Sequence, residues 1–151
     1  MLTVRRVLKW IWLWPPYFGA GISVDTFNTD ITSITVRMKM RFWNKNYVGT
    51  HFGGSLYSMC DPWFMFILLE HLGQECVVWD KGAEIDFIAP GVGTMFATFS
   101  IEHETIASLR EKVQDNQKHF PVFTAQIVDT QGSVIANVTK RLYVRKKRPK
   151  V

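Results

Sequence analysis

The sequence contains little that would serve metal, redox or disulfide chemistry. Only two of its 151 residues are cysteine, Cys60 and Cys76, and neither belongs to a CxxC or Cys/His pattern. Charged residues make up only 21% of the chain, and neither a phosphate-binding glycine loop nor a dinucleotide-binding fingerprint occurs. The sequence therefore predicts no metal site, no redox cofactor, and a reducing location, which we take to be the cytoplasm.

A long apolar run is also absent. The stretch "WIWLW" follows three basic residues, as in a signal peptide, but Pro15 and Pro16 end it well short of the thickness of a bilayer. We expect an amphipathic helix over residues 4–18 that packs on the domain, with contact to a membrane surface as the alternative. We expect no stable membrane insertion.

Positive charge is concentrated near the C-terminus. The chain has a net charge of +5, and the segment "KRLYVRKKRPKV" holds seven of its basic residues, namely Lys140, Arg141, Arg145, Lys146, Lys147, Arg148 and Lys150. We interpret the segment as a solvated end with a basic tail over residues 145–151; an anionic membrane or a phosphate-bearing cofactor is an alternative partner. Because no nucleic-acid-binding motif accompanies the charge, we predict no nucleic-acid partner.

The residues that are abundant indicate a packed core. Hydrophobic residues make up 47% of the chain and aromatic residues 14%, which is enough to build one domain. Alternation of apolar and polar residues predicts strands at 32–43, 82–91 and 95–102, and a hairpin at 123–145 with its turn at 129–132.

Two segments have the pattern of helices instead. Residues 55–72 are apolar on nearly every face, which predicts a buried helix, whereas residues 103–120 are polar with few apolar positions, which is typical of a surface helix. Strands on both sides of one buried helix, without repeated βα units, predict a single α+β domain over residues 1–151. In this domain an antiparallel sheet wraps around the helix.

One acidic residue lies inside the most apolar segment. Asp61 precedes Pro62, so it could cap a helix whose first residue is that proline. Alternatively, the helix begins at Ser55 and Pro62 kinks it. In that case Gly53 and Gly54 direct backbone N–H groups towards a ligand oxygen.

The same segment resembles the active-site segment of hotdog-fold acyl-CoA thioesterases of the phenylacetyl-CoA type. In those enzymes it reads roughly N-x5-H-G-G-x6-D, and the corresponding positions here are Asn46, Phe52, Gly53, Gly54 and Asp61. The segment "THFGGSLYSMCDP" is most similar to sequences of the branch that includes the C-terminal domain of YiiD-like acetyltransferases. The similarity extends over about residues 44–145 and includes "AEIDFIAPGVGTMFATFSI".

This resemblance implies a hotdog fold, thioester hydrolysis and a role for each matching residue. Asp61 is expected to activate water or to attack the thioester carbonyl, while a backbone N–H of Gly53 or Gly54 polarises that carbonyl. Asn46 is expected to help hold the nucleophile. The resemblance further implies an acyl-CoA or acyl-carrier-protein substrate, no cofactor apart from coenzyme A as part of that substrate, and a homodimer or larger homo-oligomer.

Phe52 is the main departure from the family pattern, which has histidine at this position. Phe52 replaces this histidine, and the nearest histidine, His51, lies one position earlier. A catalytically silent acyl-binding module therefore remains an alternative to a thioesterase. A dehydratase acting on a hydroxyacyl thioester is a third hypothesis and would need His51 in the substrate tunnel. Asn44 competes with Asn46 for the amide role.

Overall fold

The computed structural model describes residues 3–147, and its strands form one sheet. All pairs are antiparallel, in the order β1-β2-β4-β5-β6-β3. The strands are β1 (Ile22–Phe27), β2 (Ser33–Lys39), β3 (Cys76–Phe87), β4 (Thr94–Ser100), β5 (Val122–Val128) and β6 (Val134–Lys146). The hairpin and the other predicted strands are confirmed. The sequence analysis missed β1 and the first half of β3, because short apolar runs do not distinguish strand from helix.

Five helices accompany the sheet within residues 3–147. They are α1 (Val4–Trp10), α2 (Pro15–Ala20), α3 (Gly53–Ser58), α4 (Trp63–Leu72) and α5 (His103–Lys112), with 3-10 turns at Ile11–Leu13 and Val113–Asp115. The predicted helix over residues 4–18 is therefore divided, because Pro15 begins a new helix at the position where proline is favoured. The predicted surface helix ends at Lys112, and Asn116 follows in the left-handed region with φ 60°.

Helix α4 lies at the centre of the core. Its residues Trp63, Phe64, Ile67 and Leu68 are almost completely buried. The ring of Phe64 packs edge-on against Phe99 of β4, with ring centroids 5.2 Å apart. The predicted α+β architecture, with an antiparallel sheet wrapped around a central helical segment, is confirmed.

The central helical segment is broken between α3 and α4. Tight turns replace the helix there, with the N–H of Asp61 donating to the carbonyl of Ser58. Pro62 occupies the N-cap position of α4, and no side chain caps that helix. The interpretation of Asp61 as a helix cap is therefore wrong. Pro62 lacks the N–H that a continuous helix would use, and the chain breaks at this residue.

The N-terminal segment agrees with the sequence-based expectation, and the C-terminal segment differs from it. The N-terminal segment covers the domain as predicted, with Leu8, Ile11, Tyr17 and Ala20 buried. The predicted basic tail over residues 145–151 begins inside β6, since that strand continues to Lys146. Residues 148–151 lie outside the described residues.

Candidate functional site

A cluster of three charged side chains joins the break in the central helix to two strands. Nζ of Lys140 lies 3.1 Å from Oδ1 of Asp61 and 2.9 Å from Oδ2 of Asp80. The side chain of Lys140 is 1% exposed, that of Asp80 22%, and that of Asp61 46%. A buried ammonium group must be paired. Both carboxyls pair with it, and only Asp61 presents nearly half of its side chain to solvent.

Strand alternation places Lys140 inside the protein. Val138, Lys140 and Leu142 lie at alternate positions of β6, and all three are buried. Asp80 pairs in register with Leu142, just before an irregularity in β3 that ends at Gly82. The interpretation of Lys140 as part of a solvated end is therefore wrong, because side chains two apart on a strand share one face.

The two carboxyls of the cluster have pKa values shifted in opposite directions. Burial alone would raise the pKa of Asp61, but the hydrogen bond with Asp80 and the ammonium of Lys140 together lower it. Burial, followed by the hydrogen bond with Asp61, raises the pKa of Asp80 to about 6. The difference follows from the hydrogen bond that the two carboxyls share, since it lowers the pKa of Asp61, which accepts it, and raises the pKa of Asp80, which holds the proton. At neutral pH Asp61 is thus an ionised and accessible carboxylate.

Further contacts hold Asp61 from the other side. The hydroxyl of Tyr17 in α2 donates a hydrogen bond to the backbone carbonyl of Asp61, and burial with the nearby charges of Asp61 and Asp80 raises the pKa of Tyr17. The Asp61–Pro62 peptide bond is cis. The neighbouring thiol of Cys60 is buried, which raises its pKa to about 12. It is therefore protonated and a poor nucleophile.

Gly53 and Gly54 form the first turn of α3. A Cβ on Gly53 would lie 3.0 Å from Cζ of Phe87, and one on Gly54 would collide with the ring of Phe52. Both glycines thus allow an aromatic ring to lie against the backbone. Gly54 also borders an open surface groove of about 610 Å³.

Asn46 organises its own loop. Its side-chain oxygen accepts hydrogen bonds from the N–H groups of Val48 and Thr50, and its amide nitrogen donates to Oγ1 of Thr50 at 2.7 Å. A longer bond of 3.3 Å reaches the carbonyl of His51. Within residues 3–147, all hydrogen bonds of this side chain stay in the loop that leads to Phe52.

His51 and Asn44 have structural surroundings. His51 is buried, and its Nε2 lies 2.8 Å from the carbonyl oxygen of Gly93. Burial lowers its pKa, against the opposing effect of that hydrogen bond. The amide of Asn44 donates to the carbonyls of Ala20 and Lys39. Neither side chain is joined to Asp61 by a hydrogen bond in the described part of the chain.

The structure brings Asp61 together with two residues that the sequence analysis did not select. Lys140 was assigned to the basic segment, and Asp80 was not considered. A signal for both exists in the sequence, since "VTKRLYV" places Lys140 in phase with Val138 and Leu142, and "CVVWD" places Asp80 in phase with Val78. A lysine on the apolar face of a strand requires a carboxylate partner. Periodicity cannot say which of the 13 acidic residues it is.

Solved structures show the same fold at low sequence identity. PA5026 from Pseudomonas aeruginosa, a protein of unknown function whose description adds "Probable Thioesterase", has a TM-score of 0.83 at 17% identity, covering 95% of this chain and 94% of that chain. The thioesterase HI1161 from Haemophilus influenzae has a TM-score of 0.69 at 13% identity, covering 97% and 92%. The PaaI protein of the phenylacetic acid degradation operon of Escherichia coli has a TM-score of 0.65 at 18% identity, covering 97% and 94%. The chain thus has a hotdog fold, as the resemblance implied.

The sequence also matches a family directly. Residues 5–144 match the family described as "Domain of unknown function (DUF4442)", and the chain belongs to it. A comparison with curated proteins finds no match.

Replacement of Lys140 by Met should destabilise the protein in a pH-dependent way. Removing one partner of a buried ion pair costs about 3–5 kcal/mol, and the exposure of Asp61 places the expected loss at about 3 kcal/mol, the lower end of this range. Without the ammonium, the pKa of both carboxyls rises, so the variant should lose stability as the pH rises from about 5 to about 8. Urea unfolding at both pH values measures this. Adding Asp61→Asn and Asp80→Asn should restore most of the loss, and a Lys140→Met variant as stable as wild type would contradict the ion-pair assignment.

Asp80→Asn should change how stability depends on pH. The folded pKa of Asp80 is about 6 against a model-peptide value of 3.8. The folded state therefore holds an extra proton between these values, and this group lowers stability as the pH rises through that window. The free energy of unfolding of wild type minus that of Asp80→Asn should decrease from about pH 4 to about pH 6.5 and then level off. His51 titrates in both proteins, so its contribution cancels in this difference. A difference that does not vary with pH would exclude the raised pKa of Asp80.

Proposed function

We propose that this protein hydrolyses an acyl thioester with Asp61 as general base or nucleophile. The observation that carries the proposal is the placement of Asp61. Its carboxylate is accessible, is paired with Lys140, and lies at the break that follows α3. The fold shared with the thioesterase HI1161 supports the same reaction class.

The cluster holds Asp61 in the state that the chemistry needs. A carboxylate can accept a proton only if it is ionised, and the lowered pKa of Asp61 ensures this at neutral pH. The ammonium of Lys140 is buried on the inner side, so it holds the carboxylate without blocking the side that faces solvent. Above about pH 6 Asp80 ionises as well. Its negative charge then offsets the effect of Lys140 and makes Asp61 a stronger base.

In the general-base route, hydrolysis of the thioester takes two steps. Asp61 takes a proton from water as the water oxygen attacks the thioester carbonyl carbon, and the carbonyl oxygen becomes negatively charged. The C–S bond then breaks, and the departing thiolate receives the proton from Asp61. In the nucleophilic route the carboxylate attacks the carbonyl itself, and the C–S bond breaks so that a thiolate leaves and takes a proton from solvent. Water then hydrolyses the resulting anhydride, which releases the acid and restores the carboxylate of Asp61. The accessible carboxylate suits either route.

The carbonyl oxygen would be stabilised by backbone N–H groups of Gly53 or Gly54. Hydrogen bonds of the first turn of α3 use the carbonyl of Phe52 with the N–H groups of Ser55 and Leu56. The earlier N–H groups of a helix have no partner within the helix and are free to bind an oxyanion. Asn46 supports this arrangement by ordering the loop before Phe52.

A second candidate function is an acyl-binding module without hydrolysis. One specific observation favours it. The exposed ring of Phe52 lies against Gly54, beside the backbone that we propose binds the carbonyl oxygen. An apolar ring at this place favours contact with an acyl chain and offers no hydrogen bond to an oxyanion.

The substrate we propose is acyl-CoA or an acyl-carrier-protein thioester, with no further cofactor, bound by a homodimer. Among the strands of residues 3–147, β3 lies at an edge of the sheet and pairs only with β6. It is 12 residues long, and such an edge is protected when it pairs with another strand. A twofold contact between two β3 strands would extend the sheet across both subunits.

Asp61→Asn should abolish hydrolysis and keep the fold. Asparagine retains an oxygen that can accept the hydrogen bond from Lys140, but it cannot act as a base. Turnover should fall about a hundredfold or more, while binding of the substrate persists. The measurements are thiol release from a panel of acyl-CoA substrates, thermal melting, and competition by the substrate in a binding assay.

Glu111→Gln is the matched control, because this exposed carboxyl lies on α5 and belongs neither to the cluster around Lys140 nor to the β3 edge. It should leave turnover unchanged. Undiminished turnover in a folded Asp61→Asn variant would remove Asp61 from the reaction. Binding of acyl-CoA by the wild type without hydrolysis of any substrate would establish the second candidate instead.

The dimer can be tested at the level of single strands. Sedimentation at micromolar concentration should give at least twice the mass of 17.5 kDa. Hydrogen exchange should then show protected amides on both edges of β3, whereas the outer amides of β1, the other edge strand, should exchange fast. A stable monomer, or equal exchange at the outer edges of β1 and β3, would contradict this assembly.

A further inference from the structure

Five large apolar side chains point to solvent along the N-terminal segment. Trp10 is 64% exposed, Trp12 41%, Leu13 53%, Trp14 57% and Phe18 58%. We call these five residues the N-terminal aromatic face. Large exposed apolar patches mark interaction sites in proteins. Nothing in the proposed hydrolysis uses this face.

The segment that carries the face is firmly attached to the domain. Leu8, Ile11 and Tyr17 are buried in the core, and the hydroxyl of Tyr17 is bonded to the backbone of Asp61. The apolar residues of the segment therefore point in two directions. The buried set attaches the segment to the domain. The N-terminal aromatic face remains exposed, because no other part of residues 3–147 covers it.

A shallow apolar groove lies along the face. Its volume is about 660 Å³, and Trp10, Leu13 and Trp14 line it together with Val7, Ile11, Pro15 and Phe66. Arg6 is the only charged residue in this lining. Three residues of the face thus share one apolar groove with a cation in its lining.

Basic residues surround the face on the opposite side as well. A second groove of about 540 Å³ is lined by Trp12 and Phe18 and by the basic residues Lys9, Lys39 and Arg41. Its fourth cation, Arg37, is paired with Asp25 at 3.2 Å. Among the described residues, no acidic side chain lines either groove.

We propose that the N-terminal aromatic face docks reversibly on an anionic membrane surface. Tryptophan is the residue favoured at the boundary between lipid headgroups and acyl chains. Apolar side chains of an interfacial helix enter this boundary, while lysine and arginine bind the anionic headgroups. The docking is peripheral, because no helix in residues 3–147 is long and apolar enough to span a bilayer.

The charge distribution favours a membrane over a second copy of the chain. A twofold contact would place this surface against itself. The cations Arg6, Lys9 and Arg41 would then face cations, with no acidic residue in either groove to pair with them. An anionic bilayer can bury the apolar face in its interface and pair its headgroups with the basic residues at the border of the face. The proposal is independent of hydrolysis by Asp61.

Flotation of the full chain with lipid vesicles tests this. The wild type should bind vesicles of phosphatidylcholine mixed with phosphatidylglycerol, and it should bind vesicles of phosphatidylcholine alone much less. Added salt should weaken the binding. Trp10→Ala combined with Trp14→Ala should reduce the partition coefficient at least about tenfold. Arg6→Gln and Lys9→Gln should each reduce it about fivefold and make it less sensitive to salt.

Phe120→Ala combined with Val122→Ala is the matched control. It also removes an exposed aromatic and an exposed aliphatic side chain, but these lie at the start of β5 and not on the face. This control should bind vesicles as the wild type does, and thermal melting should show that every variant is folded at the temperature of the flotation assay.

Four results would overturn the proposal. The wild type could stay unbound with the anionic vesicles, or the Trp10→Ala/Trp14→Ala variant could bind as well as the wild type. Equal binding to both kinds of vesicle would show that the membrane charge is not recognised. Self-association without lipid that this variant abolishes would assign the face to a second copy of the chain.

Discussion

The burial of one ammonium group constrains the centre of this protein. Nζ of Lys140 is enclosed by the sheet, and an unpaired charge there would oppose folding by several kcal/mol. Two carboxyls must therefore reach it, one from β3 and one from the chain between α3 and α4. This requirement keeps Asp61 in place and is compatible with a central helix broken at Pro62. A continuous helix would direct this part of the backbone differently.

The same ion pair has opposite effects on the proposed chemistry. Lys140 keeps Asp61 ionised, but any interaction that lowers the pKa of a carboxylate also makes it a weaker base. Asp80 moderates this conflict, because its own ionisation near pH 6 adds a negative charge to the cluster. The cluster thus combines a structural role, which needs the buried cation, with the chemical role that we propose, which needs an accessible carboxylate.

Helix α2 connects the candidate site with the outer surface. Tyr17 faces inward and binds the backbone of Asp61, whereas the adjacent Phe18 faces outward as part of the N-terminal aromatic face. Successive residues of a helix point about 100° apart, so one short helix can serve both surfaces. The site and the face therefore have one anchoring element in common, although hydrolysis and membrane docking are tested by different variants.

The amino-acid sequence by itself determined the local structure and the general architecture of this protein. The alternation in β2, β4 and the β5–β6 hairpin and the apolar character of residues 63–72 predict the sheet and its central helix, because periodicity depends only on neighbours in the chain. The segment from Asn46 to Asp61 also pointed to the candidate site. The tertiary structure alone decided that Lys140 pairs with Asp61 and Asp80. Asp61 precedes Lys140 by 79 positions along the chain, and Asp80 precedes it by 60. Such a pairing depends on which strands lie next to each other, and on a bulge in β3 that sets the register, and neither is encoded in a local pattern of residues.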